Sequence, residues 1–195
     1  MTLCDVICRP KGLKDPDATR QAVLKAAFEE IHRHGFQAAS LANILAATGL
    51  TKGALYHHFG NKQQLGYAVI EEVIRPDVLQ RWIVPMQDLG TDPIQTLVAM
   101  LTEAGDSMTE DDILLGCPLN NLAQEMSPVD EGFRVRINTL FEEWRHAVAE
   151  AFARGKDHGQ VRANVDVEAA ATFIVGALEG CMGMAKNARS REVLM

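Results

Sequence analysis

The chain has 195 residues, enough to bury a sizeable core, and its 47% hydrophobic and 23% charged residues are ordinary for a soluble globular protein. It contains no run of about 18 apolar residues and no apolar leader after Met1, which disfavours a membrane span and a secretory signal and predicts a cytoplasmic protein. The net charge of -7 argues by itself against a nucleic-acid partner.

The distribution of charge reverses that impression. Residues 1–62 contain eight Lys or Arg and five Asp or Glu, whereas residues 63–195 contain eleven and twenty-one. A basic first third on an acidic body favours a polyanion-binding head and a body that repels the same polyanion. Chance scatter of the charges is the alternative interpretation.

Breakers and charges crowd residues 1–16, which predicts a flexible basic arm. A helix is expected from about residue 17, because apolar side chains between Val23 and Ile31 recur at helical spacing. Gly35 is placed to end this helix.

Two short helices are expected next. Ser40 is a candidate N-cap for a helix over 41–47 that ends at Gly49, and Thr51 is a candidate N-cap for a helix over 52–59. Asn61 then caps a longer helix that reaches about residue 74 or beyond. A proline shortly after it, Pro76, predicts a kink or an early break near that end.

The rest of the chain also has helical patterns, and no segment has the pattern of a strand. Helices are expected over 93–108, 112–126 and 130–154, followed by a break over Gly155–Gly159 and by a last helix that Asp166 caps and that reaches about residue 188. Gly116 and Pro118 leave the first half of the second of these helices uncertain. We therefore predict an all-α protein with a three-helix head and a larger helical body.

The stretch SLANILAATGLTKGALYHHFGNK, residues 40–62, carries the functional signal. Two short helices joined by a tight turn with glycine are typical of a helix-turn-helix, whose second helix enters the major groove of DNA. Hydroxyls at two helix N-termini suit phosphate oxygens, and Lys52 adds a cation. Lys62 is unfavourable for the dipole of the helix it begins, which is easier to understand if it faces phosphate.

On these residues the stretch resembles the TetR/AcrR family of bacterial regulators. The matching run is Thr51-Lys52-Gly53-Ala54-Leu55-Tyr56-His57-His58-Phe59, with Lys62 soon after. The first helix also matches and closes with His34-Gly35-Phe36, so the resemblance covers about residues 18–70. Leu45 departs from the small residue that is usual at its position.

The resemblance implies a ligand-responsive transcriptional repressor without catalytic residues, metal or cofactor. Its expected partners are near-palindromic double-stranded operator DNA, a small-molecule effector and a second copy of the chain. We expect base-edge contacts from Thr51, Lys52, Ala54 and His57, and the resemblance assigns Tyr56 and His58 mainly to phosphate. The complete predicted DNA-binding set is Ser40, Thr51, Lys52, Gly53, Ala54, Tyr56, His57, His58 and Lys62.

The domain division predicted from these patterns is an arm over 1–16, a helix-turn-helix domain over 17–62 and a ligand-binding and dimerisation domain over 63–195. A largely apolar pocket is expected among the helices of about 93–152. Its candidate lining residues are Trp82, Met86, Met100, Cys117, Phe133 and Trp144. Three glycines in the apolar last helix, Gly176, Gly180 and Gly183, favour close packing at a dimer interface over packing within one copy.

Two alternatives stay open at this stage. An enzyme could use Cys117, His146 or His158, although no nucleophile–base–acid motif and no His-x-x-x-His ligand pair occurs. A DNA-binding redox or metal sensor could use Cys117 or Cys181. The four cysteines form no Cys-x-x-Cys pair, so we expect reduced and mostly buried thiols.

Overall fold

The computed structural model describes residues 16–194, and within that range the chain forms helices and turns without any strand. The predicted arm lies outside the described residues except for Pro16, which begins the first helix. The all-α prediction is confirmed. The helices are α1 Pro16–His34, α2 Leu41–Thr48, α3 Lys52–Phe59, α4 (the consecutive segments Lys62–Val69, Ile70–Ile74, Arg75–Val78 and Leu79–Ile83), α5 Pro93–Ser107, α6 Glu110–Leu115, α7 Pro118–Met126, α8 Glu131–Asp157 and α9 Val167–Ala188, with 3-10 turns at Pro85–Gln87 and Arg191–Leu194.

Helix α1 is the centre of the head. Its residues Val23, Leu24, Ala27 and Ile31 are buried on one side, as their spacing predicts. Gly35 follows the helix with φ +79°, a backbone conformation that glycine adopts without strain, and its N–H donates to the Ile31 carbonyl at 2.8 Å.

Of the two outcomes predicted at Pro76, a kink or an early break, the break does not occur, because α4 continues through Pro76 to Ile83. The turn before the proline widens to π-helical geometry over Ile70–Ile74, and the Arg75 N–H bonds to the Ile70 carbonyl. Wider turns accommodate the proline, which lacks an N–H, without ending the helix. As a result one helix runs from the head deep into the body.

Two body predictions are also corrected. The segment 112–126 forms two helices, because Gly116 turns the chain with φ +71° between α6 and α7. Gly155 does not break α8, which runs on to Asp157. A Cβ at Gly155 would lie 2.6 Å from Pro93 and 2.8 Å from Val161, so the glycine permits close helix packing instead.

A single hydrophobic core continues from α1 through α4 into α8 and α9. At the junction of head and body, the fully buried Phe133 of α8 lies between Phe36 and Tyr67, with ring centroids 4.6 and 5.0 Å away. A Cβ on Gly66 of α4 would come within 2.5 Å of Phe36 and 2.6 Å of Phe133. The absent side chain therefore lets the two parts of the molecule pack directly on each other.

Candidate nucleic-acid interface and body cavity

Local hydrogen bonds fix the start of α2 and the turn between α2 and α3. The Ser40 hydroxyl accepts from Asn43 N at 3.4 Å, and the Thr51 hydroxyl accepts from Ala54 N at 3.3 Å. Both residues have the extended backbone of an N-cap. Gly49 ends α2 with φ +64°, so the chain reverses within a few residues.

Helix α3 presents one side to solvent and buries the other. Leu55 and Phe59 are buried against the head, whereas Thr51, Lys52, Gly53 and His57 are exposed. The remaining members of the predicted set, Ser40, Ala54, Tyr56, His58 and Lys62, are half-buried. The exposed residues lie at the N-terminal end and outer side of α3, where a major-groove helix offers its side chains to base edges.

Lys62 is held within the head by two contacts. Its ammonium donates to the Gln37 carbonyl at 3.0 Å and lies 5.0 Å from the centre of the Phe36 ring. These contacts stabilise the cation at the start of α4, so its position there does not depend on a DNA phosphate alone. Lys52, by comparison, lies 5.7 Å from the Tyr56 ring and has no hydrogen bond within the described part of the chain.

Arg20, which is not among the residues predicted from the sequence, joins α1, α3 and α4. Its guanidinium donates to the His58 carbonyl at 3.1 Å, pairs with Glu72 of α4 and lies 4.4 Å from the Phe59 ring. It therefore fixes the C-terminal end of α3 against α1 and α4. No sequence pattern signalled these contacts, because His58 and Glu72 lie 38 and 52 positions away from Arg20.

The body contains a cavity of about 390 Å³ that opens to solvent, is lined by six helices of the body and also reaches α1. Trp82, Cys117 and Trp144 line it together, and the two indole rings stack at 5.2 Å. The cavity is not confined to the helices of 93–152, because Phe28 and His32 of α1, α4 and the middle of α9 also line it.

The other three candidate lining residues lie elsewhere. Phe133 belongs to the ring cluster at the junction of head and body, and Met100 is buried in the core away from this cavity. Met86 lines a smaller cavity of about 170 Å³, beside which Arg154 donates to its carbonyl at 2.6 Å. Spacing along helices could not separate core methionines and aromatics from those that face open space.

The lining of the cavity is largely apolar, and it also includes one buried acid. Glu179 of α9 is only 8% exposed, yet it is one of the residues that line the cavity. Burial raises the pKa of the Glu179 carboxyl, although Cys117 and Asn120 hydrogen-bond to it. The sequence signal that could have found this residue is a single acid within the apolar stripe of α9.

Cys117 stands beside this acid at the start of α7. Burial, followed by the negative charge of Glu179, raises the pKa of the Cys117 thiol. Because the thiolate is the reactive form of cysteine, this environment disfavours the reactivity that a redox sensor needs. Cys181, two residues after Glu179 in α9, is half-buried.

The cavity is connected to the head by hydrogen bonds. His32 of α1 donates from Nε2 to the Gly116 carbonyl at 2.8 Å, since a carbonyl can only accept. Burial lowers the pKa of His32, which favours the neutral ring. Nearby, the Glu125 carboxylate accepts from Phe36 N at 2.7 Å and Gln37 N at 2.8 Å. The turn that leads into α2 is therefore held by the body.

Comparison with known families agrees with this arrangement. Residues 23–69 match the model of bacterial regulatory proteins of the tetR family, and residues 93–194 match the model of the tetracyclin repressor-like C-terminal domain. The chain belongs to the TetR family. It is a transcriptional regulator, and the family consists of regulators rather than enzymes.

Individual TetR-family relatives extend over most of the chain. The transcriptional regulator AcuR of Cereibacter sphaeroides is 28% identical over 91% of this chain and 81% of its own length. The transcriptional repressor DhaR of a Mycobacterium species is 26% identical over 90% and 86%. A TetR regulatory protein of Rhodobacter sphaeroides superposes with a TM-score of 0.81 at 26% identity, over 90% of this chain and 93% of that one.

Proposed function

We propose that this TetR-family protein is a cytoplasmic repressor that binds near-palindromic operator DNA as a homodimer and is released by a small-molecule effector. The observation that carries the proposal is the exposed, capped N-terminal end of α3, with Lys52 projecting from a head whose other side is buried. The domain division follows from it: residues 17–62 bind DNA, and residues 63–195 bind the effector and dimerise. DhaR, a relative of this chain, is itself named a repressor.

Different residues have different roles at the DNA. The residues that contact base edges lie at or near the exposed N-terminal part of α3: Thr51, Lys52, Ala54 and His57. Gly53 allows the helix to approach the DNA closely. Tyr56, His58 and Ser40 bind phosphate, which positions α3 without reading sequence. Lys62 contributes to the same backbone contacts with the ammonium hydrogens that Gln37 leaves free.

The dimer is proposed to form through α8 and α9. Phe173 and Met184 of α9 are 74% and 55% exposed, which is unusual for large apolar side chains. A Cβ added at Gly176, Gly180 or Gly183 would meet nothing within 4 Å, so packing within one copy does not explain these glycines. By length and composition α9 could also cross a membrane, and only 22% of its most apolar stretch is buried. In a DNA-binding regulator, we propose that a second copy of the chain covers this surface instead.

The effector is proposed to occupy the cavity that contains Trp82, Cys117 and Trp144. Because α1 and α4 both line this cavity, a molecule bound there contacts the helices that carry the head. The effector releases DNA by favouring a dimer whose two α3 helices are wrongly spaced. Linkage then requires DNA to weaken effector binding by the same factor, typically about 5- to 150-fold.

The experiment that tests this function is selection of bound fragments from a random DNA pool, followed by footprinting with the purified protein. We expect two inverted half-sites separated by about 34–36 Å, or a multiple of that distance, protected by a dimer. A single asymmetric half-site protected by a stable monomer would contradict the proposal.

A further inference from the structure

Glu179 has a feature that the packing of the body does not explain. Its Oε2 atom is buried and has no hydrogen-bond partner, although the residue is 92% buried and lines the cavity. A buried polar atom without a partner costs about 1–3 kcal/mol. The same side chain lines the cavity, so a ligand bound there can supply the partner that this oxygen lacks.

The charged residues around the cavity determine whether a positively or a negatively charged ligand is favoured. Arg81 is the only arginine or lysine that lines it among the described residues, and its Nε is paired with Asp77 at 2.8 Å. His32 favours its neutral form. The Asp112 carboxylate accepts hydrogen bonds from the hydroxyl and the backbone N–H of Thr109, at 2.7 and 2.8 Å. Burial raises the pKa of the Asp112 carboxyl, but these hydrogen bonds outweigh it and the pKa is lowered. The lining therefore carries surplus negative charge.

The remaining surface of the cavity suits an apolar body with a positive end. Trp82 and Trp144 present stacked indole rings, and Phe28, Met108 and Met182 add further apolar surface. Aromatic faces attract cations, most strongly where water is excluded. An organic anion would meet the carboxyl groups of the lining, and the one cation that lines the cavity, Arg81, is already paired with Asp77.

We propose that the effector cavity binds a hydrophobic organic cation, a quaternary or protonated amine with an aromatic or aliphatic body, and that Glu179 is its counter-ion. The inference rests on the proposed function, since it names the class of effector for the same cavity. The site itself can be tested without DNA.

The chain offers a direct reporter of this site. It contains two tryptophans, and both line the cavity, so intrinsic tryptophan fluorescence responds to its occupancy. The probes are benzyltrimethylammonium, its uncharged carbon isostere neopentylbenzene and the anion phenylacetate. The matched variants are Glu179→Gln, which keeps the shape of the side chain, and Glu168→Gln, which removes an exposed acid from the first turn of the same helix.

We expect wild type to bind the quaternary cation more tightly than phenylacetate. The ratio of cation affinity to isostere affinity should fall at least about tenfold in Glu179→Gln and stay unchanged in Glu168→Gln. An unchanged ratio in Glu179→Gln, or phenylacetate binding as tightly as the cation, would overturn the proposal. The comparison of cation with anion uses wild type only, so it holds even if a variant folds poorly.

The dependence on pH gives a second readout. A quaternary ammonium cannot titrate, so it must displace the proton that the raised pKa of Glu179 retains. Cation affinity should therefore fall as pH is lowered, and the difference between wild type and Glu179→Gln should shrink; a constant difference would contradict the counter-ion role. His32 adds repulsion at low pH in both proteins and cancels in the comparison. The other titratable groups that line the cavity or lie beside it are Asp77, Arg81, Asp112, Cys117 and Lys186.

A DNA gel-shift assay separates this inference from the proposed function. Release of operator DNA by the cation, in wild type but not in Glu179→Gln, supports both. Cation binding without DNA release would support the ligand class and overturn the effector role of the cavity. Operator binding that responds to phenylacetate and not to the cation would support the repressor and overturn the ligand class.

Discussion

The exposed surface of α3 and the cavity in the body are built in opposite ways. The α3 surface consists of neighbouring residues on one short helix, between Thr51 and His58, and most of them face solvent. The cavity gathers side chains from Phe28 to Met182, and among its charged residues Glu179 is buried whereas Asp77, Arg81 and Asp112 are exposed. A DNA-binding surface can therefore be recognised locally, whereas a ligand cavity exists only after helices distant in sequence have packed.

The two regions are nevertheless joined by one cluster of rings, and the largest predicted effect comes from breaking it. Phe133→Ala removes the fully buried ring between Phe36 and Tyr67, and it should lower the free energy of unfolding by about 3–5 kcal/mol. Leu89→Ala is the control, because that side chain is 77% exposed and lies outside α8 and α9. Denaturant unfolding of both variants, at one fixed protein concentration, measures the difference. Equal losses would contradict the role of the cluster.

A smaller effect is expected from the polar link between head and body. Glu125→Ala removes the acceptor of two backbone N–H groups, from Phe36 and Gln37, and should cost about 1–2 kcal/mol of stability. It should also reduce the factor by which an effector weakens operator binding, because the turn before α2 is no longer held by the body. Gln124→Ala, at an exposed neighbour, is the control. Full effector response in Glu125→Ala would show that coupling takes another route.

Within the head, the caps of α2 and α3 should matter less. Thr51→Ala removes the hydroxyl that accepts from Ala54 N and should cost about 1 kcal/mol of stability. It should also weaken operator binding, since α3 then begins less rigidly. Thr51→Ser retains the cap and serves as the control in thermal unfolding and operator titration. If serine were as damaging as alanine, the cap would not be the reason for threonine here.

The cavity should in turn show a pH effect that the α3 surface does not produce. Burial raises the pKa of Glu179 in the folded state, so its contribution to stability is present at low pH and lost as pH rises through that pKa. Unfolding curves of wild type and Glu179→Gln should therefore diverge in favour of the glutamine variant as pH increases. Curves that stay parallel across that range would mean that Glu179 is not buried as described.

How far sequence predicts this molecule follows from the same comparison. The bounds of α3 and α9 and the caps at Ser40, Thr51 and Asp166 were predictable, because they depend on residues within one or two turns. The continuation of α4 through Pro76 was not predictable, because the spacing of apolar residues does not reveal the widened turn before the proline. The location of Phe133 outside the cavity was equally hidden, since buried rings have the same spacing wherever they point.

The central claim is that α3 reads operator DNA through Lys52, whereas Tyr56 only contacts the phosphate backbone of the DNA. Its most direct test is the affinity of wild type, Lys52→Ala and Tyr56→Phe for the operator and for every single-base variant of it. Lys52→Ala should lose about 1–3 kcal/mol on the operator and less on variants altered at its contacted pair, whereas Tyr56→Phe should weaken binding to all of them by similar amounts. Base preferences left intact by Lys52→Ala and altered by Tyr56→Phe would contradict the account.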